Sequence, residues 1–494
     1  MKLTKNKKDI IICLILIAIT CIIFIPFLQG HYIADTYSII ERGLLDYSIG
    51  NSFTDGRMIM GLLNLFIDSL NIPMMAYVIG TLFFAIILSC ITIMVLKNTI
   101  LKFRPAENMW LEILVTVICY VTIFNFMYIE NLYFIECIVM ALSLLVYTIG
   151  ANLLVEKNKG YLWKSAVCVT VGMLAYQGTI GFFLALVFLF SAIKNENKIS
   201  KIIKDVLLSV ALFVLAGLID IVAIKIFTSQ LNTEQTRLSN SIWKNILAII
   251  TNIPKTLTEC CGMFPKDSLI MFLSILVILA VVGMVEKYKK DSGKGIIVWF
   301  LLVAFVIASG FASSALSTSA FWAPRMRFCI GALVGILCLY LYVSTDLFQK
   351  KNIYTILALI TVATYTYLNM YQYITIINQN KPMNEVEKQE CQEIDEYIKE
   401  YEQENGIEVT KIARVVTNQH VAGLYYLPGY TKRVNRTVFN STKCMWSAKG
   451  VIYFYTNRRL EYTNPTADGI TILNSTGKEY TCVGDTLYIF IYQA

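Results

Sequence analysis

Between residues 31 and 57 the sequence reads HYIADTYSIIERGLLDYSIGNSFTDGR, which sets Asp35, Glu41, Asp46 and Asp55 beside His31, Arg42 and Arg57. Carboxylates can take the proton from an attacking hydroxyl, and guanidiniums can offset the charge on a departing phosphate. The stretch therefore holds both halves of a group transfer onto a hydroxyl. Any one of these acids is equally well explained as an ordinary polar loop residue. Asp35 stands apart, because it lies seven residues past an apolar run that ends at 28, close to Tyr32 and Tyr37, at the depth of a lipid headgroup.

Further candidates are scattered along the chain. Arg57, Gly61, Asn64 and Asp68 recur at spacings of four, three and four, which places them on one stripe of a helix lying along the membrane interface. Glu130 and Glu136 fall in YIENLYFIEC, and Tyr176, Gln177 and Gly178 form a YQG turn. Arg325 and Arg327 stand two apart in FWAPRMRF, where they either anchor a helix end or clamp a phosphate. Glu112 reads as a snorkelling residue without a role, and Asp220 with Lys225 reads as an ion pair.

The elements that must position these groups are apolar. Of 494 residues 56% are hydrophobic and 15% charged, where a soluble domain carries about a quarter charged residues. Runs of the length a bilayer requires appear at 10–28, 72–96, 113–128, 137–155, 268–285 and 328–345. Longer runs at 165–193, 296–324 and 352–380 need dissection. As one helix, 165–193 would be ~43 Å long, beyond the ~30 Å hydrocarbon core, so two short helices meeting near Tyr176 are expected. The run from 296 is read as a span to about 313 followed by a polar outer loop, and the run from 352 as a span over about 353–370. The first run lacks a signal-peptide cleavage site and is read as a retained span.

With Met1 cytoplasmic, twenty Lys and Arg fall in the inner segments and eight in the intervening outer loops, as the positive-inside rule requires. The expected architecture is an α-helical polytopic membrane protein of about eleven spans, with the N-terminus in and the C-terminus out. The net charge of +8 is a topology signal on this reading, and no nucleic-acid partner is expected. Eight of the thirteen Cys lie inside the expected spans, no CxxC occurs and there are two His, so a dedicated zinc site is not expected. Cys260 and Cys261 are neighbours unsuited to bonding each other.

From about 381 the composition changes. A charged helical stretch ending at Gly406 precedes β-rich runs KIARVVT, VIYFY, ITIL and LYIFIY, which predict a small extracytoplasmic α+β domain over 381–494 behind a transmembrane domain over 1–380. The Lys-, Asn-, Ile- and Tyr-rich composition looks bacterial, so the sequons at Asn435, Asn440 and Asn474 are not read as glycosylated.

Asp35 in HYIADTYSIIERG after the first span, DGR at 55–57 opening an amphipathic helix, and AYQGTIGF in mid-chain resemble the bacterial GtrII-type glucosyltransferases, membrane enzymes of the GT-C architecture. The likeness covers roughly 10–370. It implies a polyprenyl-phosphate sugar as donor, used on the outer face of the cytoplasmic membrane, and a cell-surface or lipid-linked glycan as acceptor. Asp35 then matches the acidic residue of the first outer loop. The expected reaction is an inverting transfer with Asp35 as general base, helped by Asp55 or Glu41. Arg57, Arg325 and Arg327 would hold the leaving phosphate, and Glu130, Tyr176 and Gln177 would line the substrate site. Many GT-C enzymes carry two adjacent acids, whereas Ala34 precedes Asp35 here. No cofactor is expected, and a divalent cation stays open. The rival readings are a precursor transporter or flippase, and a polymerase or acyl-transfer enzyme. Against transport stand the clustering of acids at the outer interface and the lack of an internal repeat.

Overall fold

The computed structural model describes residues 5–230, 244–251, 266–315, 323–349, 352–417 and 438–492. The expectations for Cys260, Cys261, Asn435, Phe321 and Trp322 lie outside these residues. The chain is mostly helical, with one small sheet, and divides into two compact units. The first comprises Met1–Ile23, Ser48–Phe66 and Gly80–Tyr373, the second Phe24–Tyr47, Ile67–Ile79 and Ile374–Ala494.

In the first unit, seven helices among the described residues that lie in it or run into the second unit are long and apolar enough to cross a bilayer, and four apolar helices are shorter. The protein is a membrane protein by this measure and by what its surface shows. The helix Ile199–Gln230 exposes Leu207, Val214, Leu218 and Val222, a face that only a lipid environment would favour. The helix Met58–Ser69 likewise buries Gly61 and Asn64 and turns Leu62 and Phe66 outward. The run 165–193 is two helices, Tyr161–Ala175 and Ile180–Lys194, joined by a 3-10 turn over Gln177–Thr179.

Two apolar segments, 270–290 and 294–309, share the helical stretch Lys266–Ser309. Nineteen residues of straight helix would separate Ala280 from Trp299 by ~28 Å, yet the Trp299 indole donates to the Ala280 carbonyl at 3.3 Å. The two segments therefore fold back on each other, and Trp299 fills the space above Gly283. Glu112, which the sequence left without a role, pairs with Lys8 and, at 3.1 Å, with the buried Lys97, whose ammonium also meets Asp9 at 2.9 Å.

Without a hydrophobic drive between helices in lipid, close backbone approach has to supply the contact. On the helix Phe328–Ser344, Gly331 and Gly335 are four apart, and they face Asn125 and Thr122 at the end of Met109–Ile123. A Cβ on Gly335 would lie 2.0 Å from the Thr122 hydroxyl. Gly335→Val should therefore cost about 1–3 kcal/mol by overpacking and lower the melting temperature in detergent by several degrees. Gly80→Ala meets nothing within 4 Å and should leave it unchanged; equal melting of both variants would refute this packing.

The second unit is built on a four-stranded sheet, β1 Lys411–Thr417, β2 Glu461–Thr463, β3 Tyr480–Val483 and β4 Thr486–Tyr492, in the order β2-β1-β4-β3. β1 runs parallel to β2 and β4, and β3 is antiparallel to β4. Parallel neighbours need a crossover, and the helix Ala448–Thr456 lies on the connection from β1 to β2. Two expected strands are therefore corrected. VIYFY lies in that helix: Ala448, Val451 and Ile452 are buried at three- and four-residue spacing, a helical rather than an alternating pattern. ITIL lies in the helix Ala467–Thr476, capped by the Thr466 hydroxyl, which accepts from the Gly469 N–H, and closed by Gly477 in the left-handed region. KIARVVT and LYIFIY are strands, as expected. The core joins Tyr37, Ile394, Ile398 and Val451 to Ile412, Leu487 and Ile489. Among the described residues all eleven cysteines are free thiols.

Candidate functional site

In the first unit the DGR turn begins the construction. The Asp55 N–H donates to the Asn51 carbonyl at 2.9 Å and the Arg57 N–H to the Ser52 carbonyl at 2.8 Å, with Gly56 at φ +79° between them. That conformation is open to glycine at no steric cost. A side chain there would also collide with Gln177 and Asp220, since a Cβ would lie 2.4 Å from the Gln177 amide nitrogen and 2.8 Å from both Asp220 oxygens. The same amide nitrogen donates to the Asp55 carbonyl and to the Asp220 carboxylate, each at 3.1 Å. Gln177 thus ties the turn between two apolar helices to the turn that launches Arg57.

The Arg57 guanidinium pairs with Glu136, lies 3.7 Å from the Asp55 carboxylate and stands 5.6 Å from the centre of the Tyr176 ring. A second ion pair forms from more distant parts of the chain. Glu130, on the short helix Tyr128–Tyr133, accepts from the Arg325 backbone N–H at 2.7 Å and from its guanidinium at 2.9 Å. Arg325 also lies 4.3 Å above the Phe134 ring. Two guanidiniums are therefore each balanced by a nearly buried carboxylate and set against an aromatic ring, Arg57 at Tyr176 and Arg325 at Phe134.

Arg327 does not share this arrangement. It is wholly buried and donates to the Gly310 carbonyl at 3.0 Å and the Ser314 hydroxyl at 2.6 Å, with its guanidinium 4.7 Å from the Phe311 ring. Pro324–Arg327 is a 3-10 turn, in which residues two apart point ~120° away from each other, so the two arginines take different partners. Asp220, read from sequence as a partner of Lys225, instead accepts from Gln177.

The other two sequence-predicted acids belong to the second unit. Asp35 lies in the first turn of the helix Ala34–Arg42, and its carboxylate accepts from the Trp446 indole N–H at 2.8 Å. Glu41, at the far end of that helix, pairs with Lys449 at 2.8 Å. The helix packs closely on Ala448–Thr456, because a Cβ on Gly450 would lie 2.5 Å from the Tyr37 carbonyl oxygen. The Tyr37 hydroxyl donates to Glu387 and meets the Tyr455 hydroxyl, both at 2.8 Å. Burial, with the Glu387 charge beside it, pushes the Tyr37 phenol well up, so it remains a donor.

The model of the family described as Glucosyl transferase GtrII matches residues 30–320. The chain belongs to the GtrII family. The matched region opens at the first loop and takes in Asp35, Glu41, Asp55, Arg57, Glu130, Tyr176 and Gln177, and it stops just short of Arg325, whose partner Glu130 lies within it. Comparisons with curated proteins and with solved structures give no match. GtrII membership makes the chain a glycosyltransferase that works with a sugar donor and an acceptor in association with a membrane. Among the described residues no three His, Cys, Asp or Glu side chains are grouped closely enough to hold a metal ion.

Proposed function

We propose that this GtrII protein moves a hexose, with glucose as first choice, from a polyprenyl-phosphate donor to a cell-surface or lipid-linked glycan on the outer face of the bacterial cytoplasmic membrane. The observation that carries the reading is the pair of arginines, Arg57 and Arg325, each balanced by a nearly buried carboxylate, Glu136 and Glu130. A neutral resting cluster avoids the cost of isolated buried charge. When a phosphate arrives, either guanidinium can exchange part of its carboxylate contact for the phosphoryl oxygens. The acceptor oxygen attacks the anomeric carbon, the bond from that carbon to the phosphate oxygen breaks, and a carboxylate takes the hydroxyl proton.

Asp35 is the first choice for that base, with Asp55 or Glu41 assisting, and its role rests on the family resemblance and on its place in the first outer loop. Arg327 acts by holding the 310–314 turn. Monophosphate departure asks for less countercharge than diphosphate departure, so no divalent cation is required in this reading. The distribution of Lys and Arg supports a cytoplasmic N-terminus and an extracytoplasmic domain over 381–494.

Asp35→Asn should reduce modification of the surface glycan at least a hundredfold at equal protein level, and normal modification would remove Asp35 from the mechanism. Purified protein given labelled polyprenyl-phosphate hexose together with surface glycan as acceptor, in EDTA, should release polyprenyl phosphate as the label enters the glycan. Movement of the lipid across a vesicle without turnover would replace this reading with transport.

A further inference from the structure

The second unit contains a cavity of about 480 Å³. Its walls come from four places: Glu41 from the helix Ala34–Arg42, Thr410 just before β1, Lys449 and Tyr453 from the helix Ala448–Thr456, and Arg459, Leu460 and Glu461 from the approach to β2 and its first residue. Small-ligand sites span ~300–1,000 Å³, so one short saccharide segment is an appropriate occupant. We propose that this cavity binds a neutral saccharide, the hydroxyl-rich end of the acceptor glycan. Its identity as acceptor rests on the transfer reading above.

The lining carries two carboxylates and two cations. Their charges balance, so the cavity offers no net field to concentrate a phosphate or another anion. A sugar hydroxyl both donates and accepts, and it is matched by a wall that carries both acceptors (Glu41, Glu461) and donors (Lys449, Arg459). Glu41 and Lys449 are already held 2.8 Å apart, with side chains 22% and 18% exposed, so their geometry is set before a ligand enters. The buried Leu460 and the ring of Tyr453 supply an apolar surface for the C–H face of a sugar.

Neighbouring contacts fix the cations. The Lys449 ammonium lies 4.9 Å from the centre of the Tyr462 ring, and the Arg414 guanidinium covers the same ring at 3.9 Å while donating to the Met445 carbonyl at 2.5 Å. Arg459 lies 5.5 Å from the centre of the Tyr453 ring. Groups restrained in this way lose little freedom when a ligand is bound.

The test uses the full chain in lipid nanodiscs, with saturation-transfer NMR and titration against a panel of neutral hexose trisaccharides. At least one should bind, receiving magnetisation from aromatic protons, and Arg459→Gln and Glu461→Gln should each weaken it at least tenfold without changing the melting temperature. Inorganic phosphate should not compete. Failure of every trisaccharide to bind wild type, equal binding by wild type and variants, or displacement by phosphate would each overturn the proposal. Turnover of the lipid-linked donor without saccharide binding would remove the cavity's role and leave transfer standing. Saccharide binding by a protein that releases no polyprenyl phosphate would do the reverse.

Discussion

Arg57→Gln is expected to lower glucosyl transfer by at least a hundredfold, measured as labelled glycan formed at matched protein level. The substitution removes a group that meets Glu136, Asp55 and the Tyr176 ring together. It strips a carboxylate that is 2% exposed of its cation, and breaking a buried pair in this way costs about 3–5 kcal/mol. Part of the loss will therefore appear as a lower melting temperature. Arg57→Lys separates the two contributions. A lysine restores the charge beside Glu136 but not the two-pronged donor geometry that a phosphate engages, so stability should recover while transfer stays at least tenfold down. Recovery of both would make Arg57 a structural cation only. Transfer by Arg57→Gln above a tenth of wild type would remove it from the site.

Gly56→Ala should be nearly as damaging, although it adds one methyl group and changes no charge. Two costs combine: the left-handed backbone, ~1–2 kcal/mol for a residue with a Cβ, and the collision with Gln177 and Asp220. If Gln177 moves away, the Asp55 carbonyl and the Asp220 carboxylate lose their shared donor, and the turn that aims Arg57 is released. Gly43→Ala is the comparison, because Gly43 has φ +85° and its Cβ would meet nothing within 4 Å. That variant should show the backbone cost alone, as a modest fall in melting temperature with transfer within threefold of wild type. Gly56→Ala should lose transfer at least thirtyfold. Equal behaviour of the two would mean that the contact with Gln177 positions nothing.

How much of this could be read in advance differs from one residue to the next. The break at Tyr176 follows from length against bilayer thickness, and the structure has it. Glycine in DGR is visible as a motif, but its reason, the press of Gln177 and Asp220, is not. VIYFY and ITIL satisfy strand propensity and are helices, because propensity yields to the face that tertiary packing buries. Arg325 and Arg327 look equivalent in sequence, and a 3-10 turn gives them different surroundings.

The sequence by itself determined that the chain is a membrane protein, that the run 165–193 breaks near Tyr176, and that acids gather between 31 and 57. These are local matters: hydropathy, length and charge act on each segment whatever the rest does. Tertiary structure alone decided the partners. Arg57 meets Glu136 across 79 positions, Arg325 meets Glu130 across 195, and Asp35 meets Trp446 across 411. Ion pairs and hydrogen bonds depend on distances of a few ångströms, and no spacing along a chain encodes those until the helices have packed.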